Sequence, residues 1–363
     1  MKLSLGGSPC TRWSIARTKN RETEPKGLGW ELFENYLISL EKFKPDFFLY
    51  ENNKSMAPAI RAQITRELGV EPILINSALV SAQNRQRLYW TNIPGVEQPE
   101  DKGILLRDIL ESGLPMREKA YTLKATMCNQ NGPSNILRSI ATNGHFSANG
   151  VAEPVRIGII ESNAKNADFD SQQYRVYSPD GKSVTLCGQG GGVGAKTGLY
   201  AVQTQAEPCG RTYPVYEVRD GQIAIKGKRY PIKLADGFYI IRKLTVLECK
   251  RLQTVPEDYI FPVSDTQAYK MLGNVWTVDV IVHILRYAQG ITDEPLEVLS
   301  MYDGMSCGHL ALDKLGAHIA HYYATEIDKY AIKTTQHNFP DTIQLGDAFQ
   351  VRDYGWKLPK EAK

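Results

Sequence analysis

The stretch MKLSLGGSPCTRWS, residues 1–14, sets the pattern from which the rest of the chain is interpreted. Residues 2–5 (KLSL) form a short segment with the pattern of a strand. Residues 6–9 (GGSP) are of the types that form turns. A thiol that follows such a turn is fixed by the strand and left accessible by the loop. Cys10 is therefore a candidate nucleophile, although an ordinary loop cysteine would show the same pattern.

The residues that follow alternate between helix-like and strand-like patterns. Apolar positions predict a helix over 27–43, a strand over 46–50, a helix over 56–68 and strands over 71–76 and 87–92. Such βαβ alternation is typical of an α/β fold with a doubly wound, mostly parallel sheet. Ligands bind at the carboxyl ends of strands in these sheets, and the strand over 46–50 is followed by Glu51, Asn52 and Asn53.

The last part of the chain returns to the same alternation. Helices are predicted over 244–252 and 266–287, the second interrupted at 272–276, and strands over 297–302, 321–325 and 342–345. The first of these strands leads into a glycine-containing turn at 303–308, the second ends at Glu326, and the third ends at Gly346 and Asp347. These features together suit a cofactor that contains adenosine. The turn leaves room for the ligand, Glu326 can accept hydrogen bonds from ribose hydroxyls, and Asp347 can accept one from the edge of the base.

Gln83, Arg85 and Arg87 alternate along the segment between two predicted strands. In an extended segment these three side chains project from one face, where they could grip a phosphate or a carboxylate. A solvated strand edge is equally consistent with the pattern.

The middle of the chain differs from both flanks. Residues 117–233 carry fifteen Lys and Arg against nine Asp and Glu, whereas the remaining residues carry 28 against 31. The region also loses helical periodicity and gains Gly, Thr, Ser and Asn, which predicts a second, smaller β-rich domain with a basic surface. Its glycine-rich stretch at 188–198 lacks the ending of a P-loop, so we interpret it as a loop in which Lys196 could touch a phosphate.

Length and composition bound the class of protein. The chain has 363 residues, of which 42% are hydrophobic and 23% charged, as expected of a globular protein with two domains. No apolar run reaches the length of a membrane span, and the six cysteines are scattered without a C-x-x-C pair. We therefore expect no membrane, no metal site and no disulfide framework, and a reducing compartment such as the cytoplasm fits this cysteine usage.

Several motifs together resemble those of one enzyme family. They are GSPC at 7–10, ENN at 51–53, QNRQR at 83–87, RKLT at 242–245, GN at 273–274, and DG at 303–304 with Gly308. This set resembles the DNA cytosine-C5 methyltransferases, and Thr11 and Trp276 make it most similar to the de novo type and its phage and bacterial relatives. The cofactor half of the family normally precedes the cysteine strand but comes last here, so the chain resembles a circularly permuted member. Many members have Val where Asn53 stands and Pro where Val246 stands.

The resemblance implies an S-adenosylmethionine-dependent methyltransferase fold in three segments. These are a catalytic half at 1–112, a target-recognition domain at 113–241 and a cofactor-binding half at 242–363. The implied reaction transfers a methyl group from S-adenosylmethionine to C5 of a cytosine that is flipped out of DNA, through a covalent bond between Cys10 and C6. Glu51 is implied to contact the base, Asn52 to hold the loop, and Arg85 to help hold the base and the charge of the cysteine.

Further site residues and partners are implied in the same way. The cofactor contacts would be Tyr302, Asp303, Gly304, Gly308, Glu326, Ile327 and Asp347, with Asn274, Val275 and Trp276 closing the pocket. The DNA contacts would be Ser8, Arg12, Trp13, Ser14, Gln83, Arg87, Lys196 and Arg211. The implied partner is double-stranded DNA, joined by a cognate restriction endonuclease if the chain belongs to a restriction-modification system, in the cytoplasm of a bacterial or phage-infected cell.

Three other functions stay open. A tRNA cytosine-C5 methyltransferase would share the same centre, but its recognition region is typically smaller than the middle region here. A catalytically silent paralogue that only binds nucleic acid is disfavoured by the intact Cys10, Glu51 and Arg85. A thiol hydrolase is disfavoured because no histidine lies near Cys10, Glu51 or Gln83 in the sequence.

Overall fold

The computed structural model describes residues 1–14, 20–115, 118–123, 133–142, 149–154, 156–159, 175–177, 215–232, 234–242 and 244–359. The chain forms two compact units. One comprises Met1–Leu105, Thr122–Thr126 and Cys249–Lys363, and the other comprises Leu106–Tyr121 and Met127–Glu248.

Strands and helices alternate at both ends of the chain, and strands dominate its middle. The strands are β1 Lys2–Gly6, β2 Phe47–Asn53, β3 Ile73–Asn76, β4 Gln83–Asn84, β5 Gln86–Thr91, β6 Leu114–Pro115, β7 Ala120–Tyr121, β8 Val151–Pro154, β9 Arg156–Ile159, β10 Arg175–Tyr177, β11 Val215–Arg219, β12 Gln222–Ile225, β13 Lys228–Pro231, β14 Gly237–Arg242, β15 Leu296–Met301, β16 Ile319–Thr325 and β17 Ile343–Gly346. The helices are α1 Leu28–Phe43, α2 Pro58–Leu68, α3 Leu106–Ile109, α4 Pro133–Ala141, α5 Val246–Leu252, α6 Asp265–Asn274, α7 Val278–Leu285, α8 Cys307–Leu315 and α9 Lys329–Asn338.

The first unit is built on a seven-stranded sheet in the order β17-β16-β15-β1-β2-β5-β3. The five strands from β17 to β2 pair in parallel, which confirms the predicted mostly parallel sheet of an α/β fold. The first strand of the chain thus lies between β2 and β15, which is nearly three hundred residues away in sequence. Residues that are far apart along the chain therefore end at the same edge of the sheet.

Strand β5 departs from the predicted parallel alternation, because it runs antiparallel to both β2 and β3. A parallel connection needs a crossover of about a dozen residues or more. The link from Asn76 to Gln86 is shorter than that, so the chain can only reverse direction and insert β5 between its neighbours. The strand predicted over 87–92 is present, and it is an antiparallel member of the mostly parallel sheet for this reason.

The antiparallel partner also lengthens β2 beyond its predicted end at residue 50. Glu51, Asn52 and Asn53 belong to the strand and pair with Tyr89, Leu88 and Arg87 of β5. These polar side chains are therefore fixed by ladder hydrogen bonds rather than carried by a loop.

Helix α1 covers the centre of the sheet. Its residues Phe33 and Tyr36 are fully buried with Tyr50 of β2 in one aromatic cluster. The helix ends at Phe43, and Lys44 adopts a left-handed conformation with φ of 51° before Pro45. This end matches the stop predicted from Pro45, which cannot continue a helix.

The second unit is built on an antiparallel sheet in the order β13-β12-β11-β14-β8-β6. Its core contains Ile136 and Leu137 of α4 packed with Val218, Ile223 and Tyr239 of the sheet. Apolar residues alternate along these strands, so one face of the sheet is apolar, and α4 packs on that face. The second unit is therefore β-rich, as its composition predicts.

No helix in the described part of the chain is both long enough and apolar enough to cross a bilayer.

Gly6, at the end of β1, lies where the ring of Tyr36 leaves no space for a side chain. A Cβ atom at this position would lie 2.4 Å from Cε2 and 2.5 Å from Cδ2 of Tyr36. We predict that Gly6→Ala lowers the free energy of unfolding by about 1–3 kcal/mol, the usual cost of overpacking a core. Urea unfolding with an unchanged m value measures the loss.

Gly355→Ala is the matched control for that substitution. A Cβ atom at Gly355 would meet no described atom within 4 Å, and its backbone is not in the left-handed region. We expect its unfolding midpoint to stay close to that of the wild type, so equal midpoints for the two variants would contradict the packing argument.

Candidate active site

The carboxyl ends of five parallel strands lie in one row across the sheet of the first unit. The paired residues are, in order, Gly346, Thr325, Met301, Gly6 and Tyr50. The residues that follow them in the chain are Asp347, Glu326, the turn at 302–308, the turn at 7–10 and Glu51. Because neighbouring strands lie about 5 Å apart, the row brings the residues singled out from the sequence to one edge of the sheet.

Cys10 begins a short 3-10 turn, Cys10–Arg12, directly after the turn that follows β1. Its carbonyl oxygen accepts hydrogen bonds from the backbone N–H groups of Trp13 and Ser14, at 3.0 and 2.9 Å. The residue is half-buried. A half-buried thiol on a hydrogen-bonded turn is held in place and remains reachable by a ligand.

The electrostatic surroundings of Cys10 oppose its ionisation. Burial raises the pKa of the thiol above its usual value, and the carboxylate of Glu51 raises it further. The guanidinium groups of Arg87 and Arg85 lower the pKa, but by less. Burial and a nearby carboxylate thus outweigh the two cations around this thiol.

A buried polar network lies beneath the cysteine turn. The hydroxyl oxygens of Ser8 and Tyr50 are 2.6 Å apart, and Asn52 Nδ2 donates to the carbonyl oxygen of Ser8 at 3.1 Å and to Tyr50 Oη at 3.2 Å. The opposite atom, Asn52 Oδ1, accepts from the backbone and side-chain N–H groups of Asn53 at 2.8 and 3.1 Å. These contacts fix the amide orientation of Asn52 and tie β2 to the turn that carries Cys10.

Glu51 has a hydrogen-bond donor on each carboxylate oxygen. Arg87 Nε lies 3.0 Å from Oε1, and Trp276 Nε1 donates to Oε2 at 3.0 Å. The side chain is 12% exposed, so solvent reaches it but does not surround it. A carboxylate with two fixed donors is oriented, and its remaining lone pairs can accept from a ligand.

Arg85 is buried, with 3% of its surface exposed. Its guanidinium donates to three carbonyl oxygens: Nη2 to Val275 at 2.7 Å, and Nη1 to Leu123 at 3.3 Å and Gly273 at 3.4 Å. Burial and the charge of Arg87 lower the pKa of Arg85 to about 10, so the group stays charged at neutral pH. Arg85 therefore holds the segment before Trp276 in place.

Gln83 is completely buried and has partners on both ends of its amide. Its Nε2 atom donates to Leu252 O at 3.3 Å and to Gln253 Oε1 at 3.2 Å, and its Oε1 atom accepts from Leu123 N at 2.8 Å. Gln83 and Arg85 both contact the backbone of Leu123, whereas Arg87 pairs with Glu51, so the three side chains have different main partners although they alternate along one segment.

The turn after β15 has an unusual backbone and a half-buried acid. Tyr302 adopts a left-handed conformation with φ of 62°, held by a hydrogen bond from its N–H to Thr325 Oγ1 at 3.0 Å. Asp303 accepts from Tyr322 Oη at 2.8 Å and from the hydroxyl of Ser306. Burial and the nearby Glu326 raise the pKa of Asp303, and the hydroxyl donors partly offset that rise.

Glu326 joins the ends of two neighbouring strands. Its Oε2 atom accepts from Gly304 N at 2.9 Å, and its Oε1 atom accepts from the N–H groups of Ile327 and Asp328, both at 2.8 Å. Gly304 has φ of +62°, and a Cβ atom there would meet no described atom within 4 Å. The backbone at Gly304 is thus exposed to open space beside an ordered carboxylate.

The remaining predicted cofactor residues lie around the same edge. Ile327 is 73% exposed although it is a large apolar residue, and Asp347 is exposed while its Oδ1 atom accepts from Phe349 N at 2.9 Å. Gly308 packs against Leu5 of β1, where a Cβ atom would lie 2.5 Å from Cδ1 of that leucine. These residues fit an adenosine group: the exposed side chain of Ile327 can contact an adenine ring, the carboxylate of Glu326 can accept from ribose hydroxyls, and the exposed Asp347 can accept from the adenine amino group.

Asn274 and Val275 lie at the end of α6 and directly after it. Asn274 is exposed, and Val275 is buried with 8% of its surface accessible. Across the described residues, no group of three or more His, Cys, Asp or Glu side chains is arranged to hold a metal ion.

The predicted DNA contacts occupy different environments. Trp13 is completely buried, with Nε1 donating to Glu22 Oε2 at 3.2 Å, so it would have to leave this position to reach DNA. Arg12 and Ser14 are half-buried, and Ser8 is buried in the polar network. Lys196 and Arg211 lie outside the described residues.

Three residues of the site were not found from the sequence. Tyr50 looks like an ordinary apolar strand residue, Ser306 lies inside the turn at 303–308 without being singled out there, and Tyr322 has no motif around it. Their roles depend on the partners of their hydroxyl groups, which are Ser8 for Tyr50 and Asp303 for Ser306 and Tyr322, and periodicity does not reveal such partners. A tyrosine at a position predicted to be buried is a usable signal, because a buried phenol normally has a hydrogen-bond partner.

Comparisons with known proteins agree with this geometry. The orphan methyltransferase M.SPRI of Bacillus phage SPR is 23% identical over 371 residues, covering 78% of this chain and 81% of that protein. The orphan methyltransferase M.SPBetaI of Bacillus phage SPbeta is 24% identical over 311 residues, covering 71% and 69%. The type II methyltransferase M.SsoII of Shigella sonnei is 60% identical over 40 residues, or 11% of each chain.

The solved structure of the Entamoeba histolytica methyltransferase EhMeth aligns with 78% of this chain and 76% of its own chain. Its sequence identity is 11% and its TM-score is 0.40, so this likeness adds nothing to the assignment. The family model described as C-5 cytosine-specific DNA methylase matches residues 2–289, which is most of the chain. The chain therefore belongs to the family of C-5 cytosine-specific DNA methylases.

Proposed function

We propose that the protein transfers the methyl group of S-adenosylmethionine to C5 of cytosine in double-stranded DNA. The observation that carries this proposal is the row of strand ends that places Cys10 and Glu51 at the same sheet edge as Asp303, Gly304 and Glu326. A nucleophile and a base-binding acid thus lie beside the residues that fit an adenosine-containing ligand.

Cys10 is the proposed nucleophile. Its thiolate adds to C6 of the cytosine, which places electron density on C5 so that C5 can form a bond to an electrophilic methyl group. S-adenosylmethionine supplies that methyl group when it is bound. Loss of the C5 proton to a base then restores the double bond and expels the thiolate of Cys10, so the enzyme is regenerated.

Glu51 links base binding to activation of the thiol. Its carboxylate is one of the groups that raise the pKa of Cys10. An N–H group of the cytosine that donates to Glu51 would partly neutralise the charge of the carboxylate. Glu51 would then raise the pKa of the Cys10 thiol by less. Arg87 and Arg85 would then favour the thiolate when a base is in place.

The cofactor half supports the same proposal. Glu326 keeps free lone pairs for ribose hydroxyls although both of its oxygens already accept backbone N–H groups. Ile327 offers an exposed apolar face for an adenine ring, and Asp347 an exposed acceptor for its amino group.

The chain order supports a circular permutation. The family match ends at residue 289, before strands β15, β16 and β17, which carry the proposed cofactor residues. In the sheet, β15 pairs directly with β1. The strands that carry the proposed cofactor residues therefore belong to the same sheet as the cysteine strand although they follow it in the chain, which is the order expected of a permuted member.

DNA is the proposed nucleic acid because the matched family model is described as a C-5 cytosine-specific DNA methylase. The middle region carries the basic excess expected of a domain that faces phosphates, so we assign target recognition to the second unit. A transfer assay with tritiated S-adenosylmethionine, unmethylated duplex DNA and tRNA tests the assignment. Label in tRNA without label in DNA would overturn it.

We predict that Cys10→Ala abolishes methyl transfer and covalent trapping by DNA that contains 5-fluorocytosine, because no other atom replaces the sulfur. Binding of S-adenosylhomocysteine should stay within about twofold of the wild type, since no bond to the cofactor is lost. Cys249→Ala is the control, because Cys249 is a buried thiol outside the site. Trapping that persists in Cys10→Ala would move the nucleophile to another residue.

We predict opposite pH shifts for two charge substitutions near Cys10. Glu51→Gln removes a negative charge that disfavours the thiolate, so the midpoint of Cys10 alkylation against pH should move to lower pH. Arg87→Gln removes a positive charge that favours the thiolate, so the midpoint should move to higher pH. Iodoacetamide labelling at Cys10, followed by mass spectrometry, measures both, and shifts in the same direction would contradict the assignment.

We predict that Glu326→Gln weakens the binding of S-adenosylhomocysteine about tenfold, the factor expected when a charged acceptor is replaced by a neutral one. Affinity for DNA should not change. Glu297→Gln is the matched control, because Glu297 lies at the opposite end of a neighbouring strand and contacts His321. An unchanged calorimetric titration would remove Glu326 from the proposed ribose site.

A further inference from the structure

Trp276 contacts both halves of the site with different atoms. Its indole Nε1 atom donates to Glu51 Oε2 at 3.0 Å, on the side of the nucleophile. Its carbonyl oxygen accepts from Cys307 Sγ at 3.8 Å, and Cys307 is the residue that follows the turn at 303–306. One residue therefore connects the proposed base-binding carboxylate to the proposed cofactor turn.

The backbone of Trp276 is anchored from the nucleophile side as well. Arg85 Nη2 donates to the carbonyl oxygen of Val275, the residue before Trp276, at 2.7 Å. Nη1 of the same guanidinium donates to Gly273 O at 3.4 Å. The indole thus extends from a segment whose position is fixed by a buried, charged side chain.

Glu51 depends on the indole for its orientation. Arg87 Nε lies 3.0 Å from Oε1, and Trp276 supplies the donor on Oε2. A carboxylate held by one donor can rotate about its terminal bond, whereas donors on both oxygens define its plane. Loss of the indole N–H therefore frees the rotation while the charge pair with Arg87 persists.

The backbone beside the nucleophile leaves room for this hydrogen bond. A Cβ atom at Gly7 would lie 3.2 Å from Trp276 Nε1 and 3.3 Å from Glu51 Oε2. These distances are tighter than ordinary contacts of a real Cβ atom. Glycine at this position lets the turn that leads to Cys10 pack directly against the Trp276–Glu51 hydrogen bond.

We propose that Trp276 is a positioning residue that fixes Glu51 for the target cytosine and makes binding of the cofactor and of the cytosine depend on each other. The inference rests on the proposed function and assigns to the indole side chain a task separate from closing the cofactor pocket. A ligand that shifts the turn at 303–308 moves Cys307 and the carbonyl of Trp276, and that movement reaches Glu51 through the indole N–H.

The hydrogen bond itself is tested without any catalysis. The chain has five tryptophans, so an NMR spectrum of protein labelled with ¹⁵N in the indole ring shows five N–H resonances, and the one that Trp276→Phe removes belongs to Trp276. Glu51→Gln and addition of S-adenosylhomocysteine should each shift this resonance. Trp13, which donates to Glu22, is the internal control: Glu22→Gln should shift its resonance and leave that of Trp276 in place.

The functional consequence is tested by Trp276→Phe, which keeps an aromatic ring and removes the donor. We expect kcat for methyl transfer to duplex DNA to fall about 10- to 100-fold, as for loss of one hydrogen bond to a charged group. The affinity of the free enzyme for S-adenosylhomocysteine should stay within about twofold. Trp356→Phe is the control, because it removes an indole N–H from a ring that lies beside Lys42, 5.9 Å from its Nζ atom and away from the site, and its kcat should match the wild type.

The dependence between the two ligands is measured by calorimetry. In the wild type, saturating duplex DNA should tighten S-adenosylhomocysteine binding about fivefold or more, within the usual range of coupling between sites. In Trp276→Phe this factor should fall below about twofold, whereas in Trp356→Phe it should stay at about fivefold or more.

Three results would overturn the inference. They are an S-adenosylhomocysteine affinity of the wild type that does not change with DNA, a wild-type kcat in Trp276→Phe, or a Trp276 indole resonance that does not shift in Glu51→Gln. Failure of the proposed function is a different result, because the wild type would then transfer no label to DNA while the hydrogen bond remained visible in the spectrum.

Discussion

The parallel pairing of β1 with β15 is the constraint on which the rest of the structure depends. It aligns Lys2 with Glu297 and Gly6 with Met301, so two segments from opposite ends of the chain stop at the same level. The pairing is stabilised by fully buried side chains such as Leu3 and Leu5, and it needs Gly308 next to Leu5, where a larger residue would collide. Hydrophobic burial thereby places Cys10 and the turn that follows β15 at the ends of neighbouring strands.

The same compactness creates an electrostatic conflict around Cys10. Burial that positions the thiol also raises its pKa, and the carboxylate of Glu51 raises it further. Two arginines offset this only in part, and the guanidinium of one of them, Arg85, donates to backbone carbonyl oxygens. The thiol therefore stays protonated to a greater extent than that of an exposed cysteine, which lowers its reactivity in the free protein.

The polar side chains beneath the turn that carries Cys10 hydrogen-bond to one another. Ser8, Tyr50, Asn52 and Asn53 are all buried, and the bonds among them leave each amide with one orientation. A buried network of this kind is rigid because any rotation would leave a donor or acceptor unpaired at a cost of about 1–3 kcal/mol. Asn53, which stands where many family members have Val, belongs to this network and so has a structural reason in this chain.

The sequence alone predicted most of the local elements and singled out the candidate residues that the sheet brings to one edge. Apolar periodicity identified α1 and β1 because those signals lie within a dozen residues, and the motif at 7–10 singled out Cys10. Tertiary structure alone decided that β5 runs antiparallel, that Arg85 and Gln83 face buried partners, and that the indole of Trp276 meets Glu51. The physical reason is range: propensity and spacing act between neighbours in sequence, whereas pairing direction, burial of charge and hydrogen-bond partners depend on which distant segments the packed sheet brings together.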